Sequence, residues 1–152
     1  MDSETLEKIE EAVCHVIAVF SFMFGERVGP ESEPLECPED GVHACVTFSG
    51  AMEGRLHVLT SKALAGAMAM NALGLDEAGE HESLDALREL TNQLCGEIVL
   101  LMAGSEAKVT LGIPDSALLD PADWLACAAA EDSITLRVDE AEPLLVRCEL
   151  QL

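Results

Sequence analysis

Residues 84–103 read LDALRELTNQLCGEIVLLMA. Placed on a wheel at about 100° per residue, Asp85, Glu89, Asn92 and Gly96 lie at roughly 0°, 40°, 340° and 20°. Leu87, Leu90, Leu94, Ile98 and Leu101 fall between about 140° and 220°, so the apolar arc faces directly away from the polar stripe. The spacing predicts a helix whose leucine side packs on a sheet and whose stripe meets solvent or a partner. Residues 98–103 are apolar all round, which predicts that only the first half of the helix is exposed. Ser83 is a suitable N-cap. A solvated face of an ordinary amphipathic helix gives the same wheel, but two residue choices pull against that reading. Gly96 in a helix interior costs about 1 kcal/mol relative to alanine and makes sense where another group must approach closely. Asn92 is a poor mid-helix residue, yet its amide offers both a donor and an acceptor for orienting a water.

The flanking segments predict what this helix packs on. Apolar residues Leu6, Ile9, Val13, Val16, Ile17, Phe20 and Phe24 recur at helical spacing after Ser3 as N-cap, and Gly25 is the stop. The acidic residues early in this helix favour the positive end of its dipole. Residues 29–41 are rich in Pro, Glu and Asp and read as an exposed connector. Residues 42–48 and 55–60 read as a hairpin around Gly50 and Gly54. Ser61 caps a helix over 62–73 that Gly74 ends. Downstream of the helix over 84–103, 107–113 reads as a strand stopped by Pro114, Pro121 opens a short helical turn around Trp124, and 134–138 and 144–150 read as paired strands turning near Pro143. The order helix-strand-strand-helix-helix-strand-strand-strand, with short turns between adjacent strands, predicts an α+β fold: an antiparallel sheet with helices packed on it. The 152 residues fit one domain over 1–152.

Composition bounds the partners. Asp plus Glu number 29 against 8 Lys plus Arg, a formal net charge of −21. So few basic residues supply no footprint for nucleic acid, and an anionic membrane surface repels the chain. Disorder is excluded because 49% of residues are hydrophobic and mean hydropathy is positive. The apolar run 12–24 is too short to span a bilayer and follows acidic rather than basic residues, which predicts a cytoplasmic protein. Six cysteines occur without a CxxC pair, mostly within apolar runs, and read as small buried hydrophobes. Cys37, His43 and Cys45, with Cys14 and His15, are the best metal candidates, but they lack finger-like spacing, so no metal site is expected. His57 and His81 read as solvated or structural, His15 as a satisfied buried histidine, and Trp124 as a plug at the sheet edge or core.

The pattern Asp85-x-x-x-Glu89-x-x-Asn92-x-x-x-Gly96 resembles the signature helix of the CheC, CheX and FliY phosphatases of bacterial chemotaxis. Gly50 to Gly54 with the strand and helix that follow, Gly112-Ile113-Pro114, and Phe22-Met23-Phe24-Gly25 resemble the family's glycine turn, its strand end after the signature and the end of its first helix. One signature is visible, as in CheX. Two-site members carry a second Glu-x-x-Asn on the first helix, where this chain has Glu11 and Cys14. Where family members often carry a basic or polar residue after the glycine, this chain has Glu97, Ile98 and Val99.

The resemblance implies a phosphatase acting on the aspartyl phosphate of a CheY-like response regulator, with Glu89 and Asn92 catalytic. Asp85, Arg88 and Gly96 are candidates for partner contact. For Asp85 a dipole interaction competes with that role, and for Arg88 an intrahelical pair with Asp85 does. The resemblance also implies a homodimer formed through the sheets. It implies no cofactor bound by this chain, with Mg²⁺ expected in the phosphorylated receiver. The alternative is a receiver-binding module without hydrolysis, in signalling or motility.

Overall fold

In the computed structural model, which describes residues 2–29 and 34–151, the chain forms α1 (Ser3–Ser21), β1 (Gly25–Arg27), β2 (Gly41–Gly50), β3 (Glu53–Ser61), α2 (Lys62–Leu73), α3 (Glu80–Ala103), β4 (Val109–Leu111), β5 (Asp115–Leu118), α4 (Pro121–Ala129), β6 (Ser133–Val138) and β7 (Glu142–Gln151). One antiparallel sheet takes the order β1-β6-β7-β3-β2-β4, and β5 also pairs with β2. The α+β architecture is the one the sequence predicts. Part of the connector, residues 30–33, lies outside the described residues.

Strand alternation divides the apolar residues between the two sheet faces. Val42, Ala44 and Val46 of β2, Leu56 and Val58 of β3, and Leu144 and Val146 of β7 are buried in one cluster with Ile9, Val13 and Ile17 of α1, Met68 of α2 and Leu87, Leu90, Leu94 and Ile98 of α3. The opposite face carries a smaller cluster in which Trp124 and Cys127 of α4 pack on Leu59 and Leu145. Trp124 thus anchors α4, a nine-residue helix where the sequence predicts a single turn.

Local capping accounts for most differences at the element ends. Asp2, not Ser3, caps α1 by accepting from the Thr5 amide. The helix stops at Ser21 instead of Phe24, because Phe22 takes a left-handed conformation and its N–H closes on Ala18 O. Ser61 and Gly74 bound α2 as the sequence predicts. At α3 the start moves back to Glu80: Gly79 is the cap, the Glu82 carboxylate accepts from its N–H, and Ser83 lies buried inside the helix with its hydroxyl donating to Gly79 O. The strand expected over 107–113 shortens to β4, and β5 follows Pro114 as a separate strand. The β6–β7 turn falls at Asp139 and Glu140, both with positive φ, which leaves Pro143 inside β7.

Gly54 shows why the hairpin carries a glycine there. A Cβ at this position would stand 2.4 Å from Glu149 O of β7 and 2.8 Å from the Phe48 ring. All six cysteines are free, and burial raises each thiol above its ordinary pKa, Cys95 to about 12 and Cys148 to about 11.

Candidate functional site

Four leucine and isoleucine side chains fix the rotation of α3. Leu87, Leu90, Leu94 and Ile98 are at most 1% exposed, and they lock one face of the helix onto the core. The opposite face is therefore held outward. Glu89 and Gly96 are exposed on it, and Asp85 and Asn92 are half-exposed. A Cβ added at Gly96 would meet nothing within 4 Å. Packing within the chain thus gives no reason for a glycine there, and the open patch beside Asn92 admits a closely approaching group.

The stripe's polar groups differ in how they are engaged. Asp85 pairs with Arg88 on one side and with His81 Nε2 at 3.1 Å on the other. Arg88 also donates to Ser116 Oγ at 2.7 Å, and that hydroxyl donates in turn to Leu84 O. These bonds lash one flank of α3 to β5. Glu89 Oε1 accepts from Gln93 Nε2 at 3.2 Å, which draws this carboxylate toward the other flank. The Asn92 side chain has no hydrogen-bond partner among the described residues, so its amide is left free, about one helical turn beyond the Glu89 carboxylate. On the Glu89 flank, Gln93 and Glu97 line a groove with His15, Val16 and Val19 of α1.

The candidate residues of the sequence reading thus lie on one face, and the intrahelical Asp85–Arg88 pair forms. Gln93, His81 and Ser116 are additions. Gln93 stands four residues from Glu89, and His81 four residues before Asp85, spacings that a helix brings together. Ser116 comes from another element, and no local pattern marks it. Two expectations fail. Leu101 is 41% and Leu100 48% exposed, so the end of the helix is not sequestered. His15 is exposed, because its position on α1 faces away from the sheet.

A second polar cluster lies on the α4 side of the sheet. His43 Nε2 and His57 Nδ1 share a hydrogen bond at 3.1 Å, His57 Nε2 meets Glu149 Oε2 at 3.1 Å, and Asp123 of α4 stands 3.8 Å from His43 Nδ1. Neither His57 nor His43 is free in solvent. Among the described residues, no three or more His, Cys, Asp or Glu are arranged to hold a metal ion.

Burial, and secondarily His57, push His43 below its ordinary 6.5, while Asp123 opposes the shift. The bond from His57 holds the Glu149 carboxyl below its ordinary 4.5. Both shifts make the unfolded chain bind more protons than the folded one, so stability rises with pH across both windows. Melting temperature should therefore fall as pH drops below about 6.5 and fall further below about 4.5. His43→Gln should flatten the upper part of that profile. An unchanged slope between pH 7 and 5 in thermal melts of the variant would remove His43 from this role.

An antiparallel sheet with α1, α2 and α3 on one face and the short α4 on the other, and with an outward acid-amide-glycine stripe on α3, has the architecture of the CheC-like proteins. The model of the family described as chemotaxis phosphatase CheX matches residues 42–135, and the chain belongs to that family. The solved structure of the chemotaxis protein CheX from Desulfovibrio desulfuricans superposes with a TM-score of 0.72 at 18% identity, covering 97% of this chain and 99% of that one. The CheX-CheY-BeF₃-Mg²⁺ complex from Borrelia burgdorferi gives 0.70 at 13% identity, covering 96% and 97%. FliY from Thermotoga maritima gives 0.57 at 13% identity, covering 97% and 91%. At these identities the likeness is one of fold. No curated protein matches the chain.

Proposed function

We propose that this protein stimulates hydrolysis of the aspartyl phosphate on a CheY-like receiver, with Asn92 orienting the attacking water and Glu89 anchoring the helix on the receiver's phosphate-contacting lysine. The observation that carries this reading is the free Asn92 amide. It stands three residues after a carboxylate already held by Gln93 and four before an open glycine, on the outward face of a CheX-family helix.

Phosphoryl transfer to water is in-line, and a helper protein does little covalent work: it places the water and leaves the charge neutralisation at the phosphoryl group undisturbed. A neutral amide suits that task, since it binds water as donor or acceptor without adding charge. Glu89 supplies a charge-assisted bond to the lysine, which fixes the register of the helix. The stripe offers one amide and two carboxylates spaced along the helix and engaged on opposite flanks, which is not a cation cage, so Mg²⁺ belongs to the receiver in this scheme. The same family reading carries a homodimer formed through the sheets and a cytoplasmic location. Among the described residues no helix is long and apolar enough to cross a membrane.

The test is a dephosphorylation time course against a panel of phosphorylated receivers from the same genome. Wild-type protein should accelerate loss of phosphate from at least one. Glu89→Lys should weaken binding and stimulated turnover together, each by roughly tenfold or more, because it sets two like charges against each other. Binding without acceleration would instead make the chain a receiver-binding module. Charge gives a second expectation. The chain carries a net −21 and a receiver's active site is built from carboxylates, so long-range attraction does not drive encounter. Moderate salt should leave the association rate unchanged or raise it in stopped-flow measurements, and a steep fall would contradict recognition by local pairing.

A further inference from the structure

We infer that Gln93 is a positioning residue for Glu89: it holds the carboxylate that anchors the receiver's lysine and does so without neutralising it. The inference rests on the functional reading above and adds a residue to it. Gln93 Nε2 donates to Glu89 Oε1 at 3.2 Å, and Glu89 Oε2 has no hydrogen-bond partner among the described residues. One oxygen is fixed and the other is left for a donor from outside the chain.

The two carboxylates of the stripe have different neighbours. Asp85 Oδ1 pairs with the Arg88 guanidinium and its Oδ2 with His81 Nε2 at 3.1 Å, so basic side chains engage both oxygens. Glu89 meets a neutral amide instead. Among the described residues no Lys, Arg or His lies within ion-pair distance of it. The residues three and four positions away, which a helix brings alongside, are Asp85, Ala86, Asn92 and Gln93. Arg88 is next to Glu89 in the chain, but its guanidinium is taken up by Asp85 and, at 2.7 Å, by Ser116 Oγ of β5. On the wheel Arg88 and Gln93 stand on opposite sides of Glu89, at roughly 300° and 80° against about 40°.

The helix itself does not ask for glutamine at 93. Glu followed four residues later by Lys is the favoured order for an exposed ion pair, and α1 uses that order, with Glu4 and Lys8 at 3.3 Å. A lysine at 93 would satisfy the helix equally, yet it would occupy the carboxylate that the partner's lysine has to reach. Glutamine supplies the donor and leaves the charge. A glutamate side chain has several rotatable bonds, and fixing them on docking costs affinity. A bond formed beforehand lowers that cost, which is how a residue that touches no substrate acts on binding.

The experiment compares wild type with Gln93→Met and Gln93→Lys, each alone and the first also combined with Glu89→Ala, using a CheY-like receiver that wild type dephosphorylates. Affinity is read by titrating the receiver loaded with beryllofluoride and Mg²⁺, and turnover by phosphate release. Methionine keeps the length and helix propensity of glutamine and deletes the donor. Gln93 is exposed, so the melting temperature should be kept. Gln93→Met should raise Kd and KM about three- to tenfold, the range that ordering one flexible side chain spans, with kcat within about twofold. Gln93→Lys should lose roughly tenfold or more while melting no lower than wild type, because its ammonium occupies Glu89 and opposes the receiver's lysine. Beside Glu89→Ala, the Gln93→Met change should cost nothing measurable, since no carboxylate is left to hold. The inference is overturned if either single variant binds as tightly as wild type, or if Gln93→Met lowers kcat with KM intact. It is also overturned if the loss persists beside Glu89→Ala, because Gln93 would then act on the receiver directly. Glu89→Lys protein that has lost binding beside fully binding Gln93 variants would overturn this inference alone. A wild type that neither binds nor dephosphorylates any receiver would overturn the functional reading and this inference with it.

Discussion

Asn92→Ala is expected to lower the stimulated dephosphorylation rate by roughly a hundredfold or more while leaving receiver affinity within a few-fold of wild type. The magnitude follows from what positioning supplies: a water held on the attack line replaces a bimolecular encounter, and small misplacements of a reacting group cost about two orders of magnitude. The separation of rate from affinity follows from the geometry. The Asn92 amide has no hydrogen bond within the described chain to lose, and its neighbours keep theirs: Asp85 with Arg88 and His81, Glu89 with Gln93. Removing the amide therefore leaves the anchoring groups where they are. Alanine is also the better helix former, so the melting temperature should be unchanged or slightly higher. The check is kcat and Kd measured on the same preparation. A rise in Kd with kcat intact would make Asn92 a docking residue.

Leu94→Ala is expected to act in the opposite sense, on stability first. Leu94 is 0% exposed and lies on the core face of α3, two residues along the helix from Asn92 and directed to the other side. Truncating a leucine in such a site removes its buried surface and leaves a cavity that close-packed neighbours fill incompletely, for a cost of about 2–5 kcal/mol. Denaturant unfolding should show a lower midpoint with an unchanged slope. The folded fraction should retain stimulated turnover wherever the remaining leucines keep the helix in register, because no stripe residue is touched. A loss below 1 kcal/mol would mean that α3 is held chiefly by its polar lashings to β5 and not by its leucine face.

These two substitutions fall on one helix, and that helix was the part of the molecule most legible in the sequence. Its periodicity separates core from surface without reference to anything distant, and the same holds for α2, where Ser61 and Gly74 supply both ends by local chemistry. Legibility fails where a partner element decides the outcome. Ser83 carries the right side chain for a cap, yet Gly79 and Glu82 complete the turn first and leave the serine buried. β1 and β5 have three and four residues and exist only through pairing with β6 and β2. The His43–His57–Glu149 chain depends on the register of three strands, which sets Cys45 opposite His57 and His57 opposite Arg147. No spacing along the sequence announces it. At the end of α3 every residue is apolar, so only the neighbours decide which side is covered, and Leu100 and Leu101 stay exposed. The roles proposed for Glu89 and Asn92 rest on the family resemblance, since the wheel alone describes a solvated face equally well.

The most direct measurement is the decay of phosphate from a phosphorylated CheY-like receiver with Mg²⁺ present, followed in single turnover as this protein is titrated in. The account predicts a decay rate that rises with protein concentration and saturates, and that returns to the receiver's own rate when Asn92→Ala protein is used at saturating concentration. Saturable binding with the receiver's own decay rate unchanged by wild-type protein would contradict it.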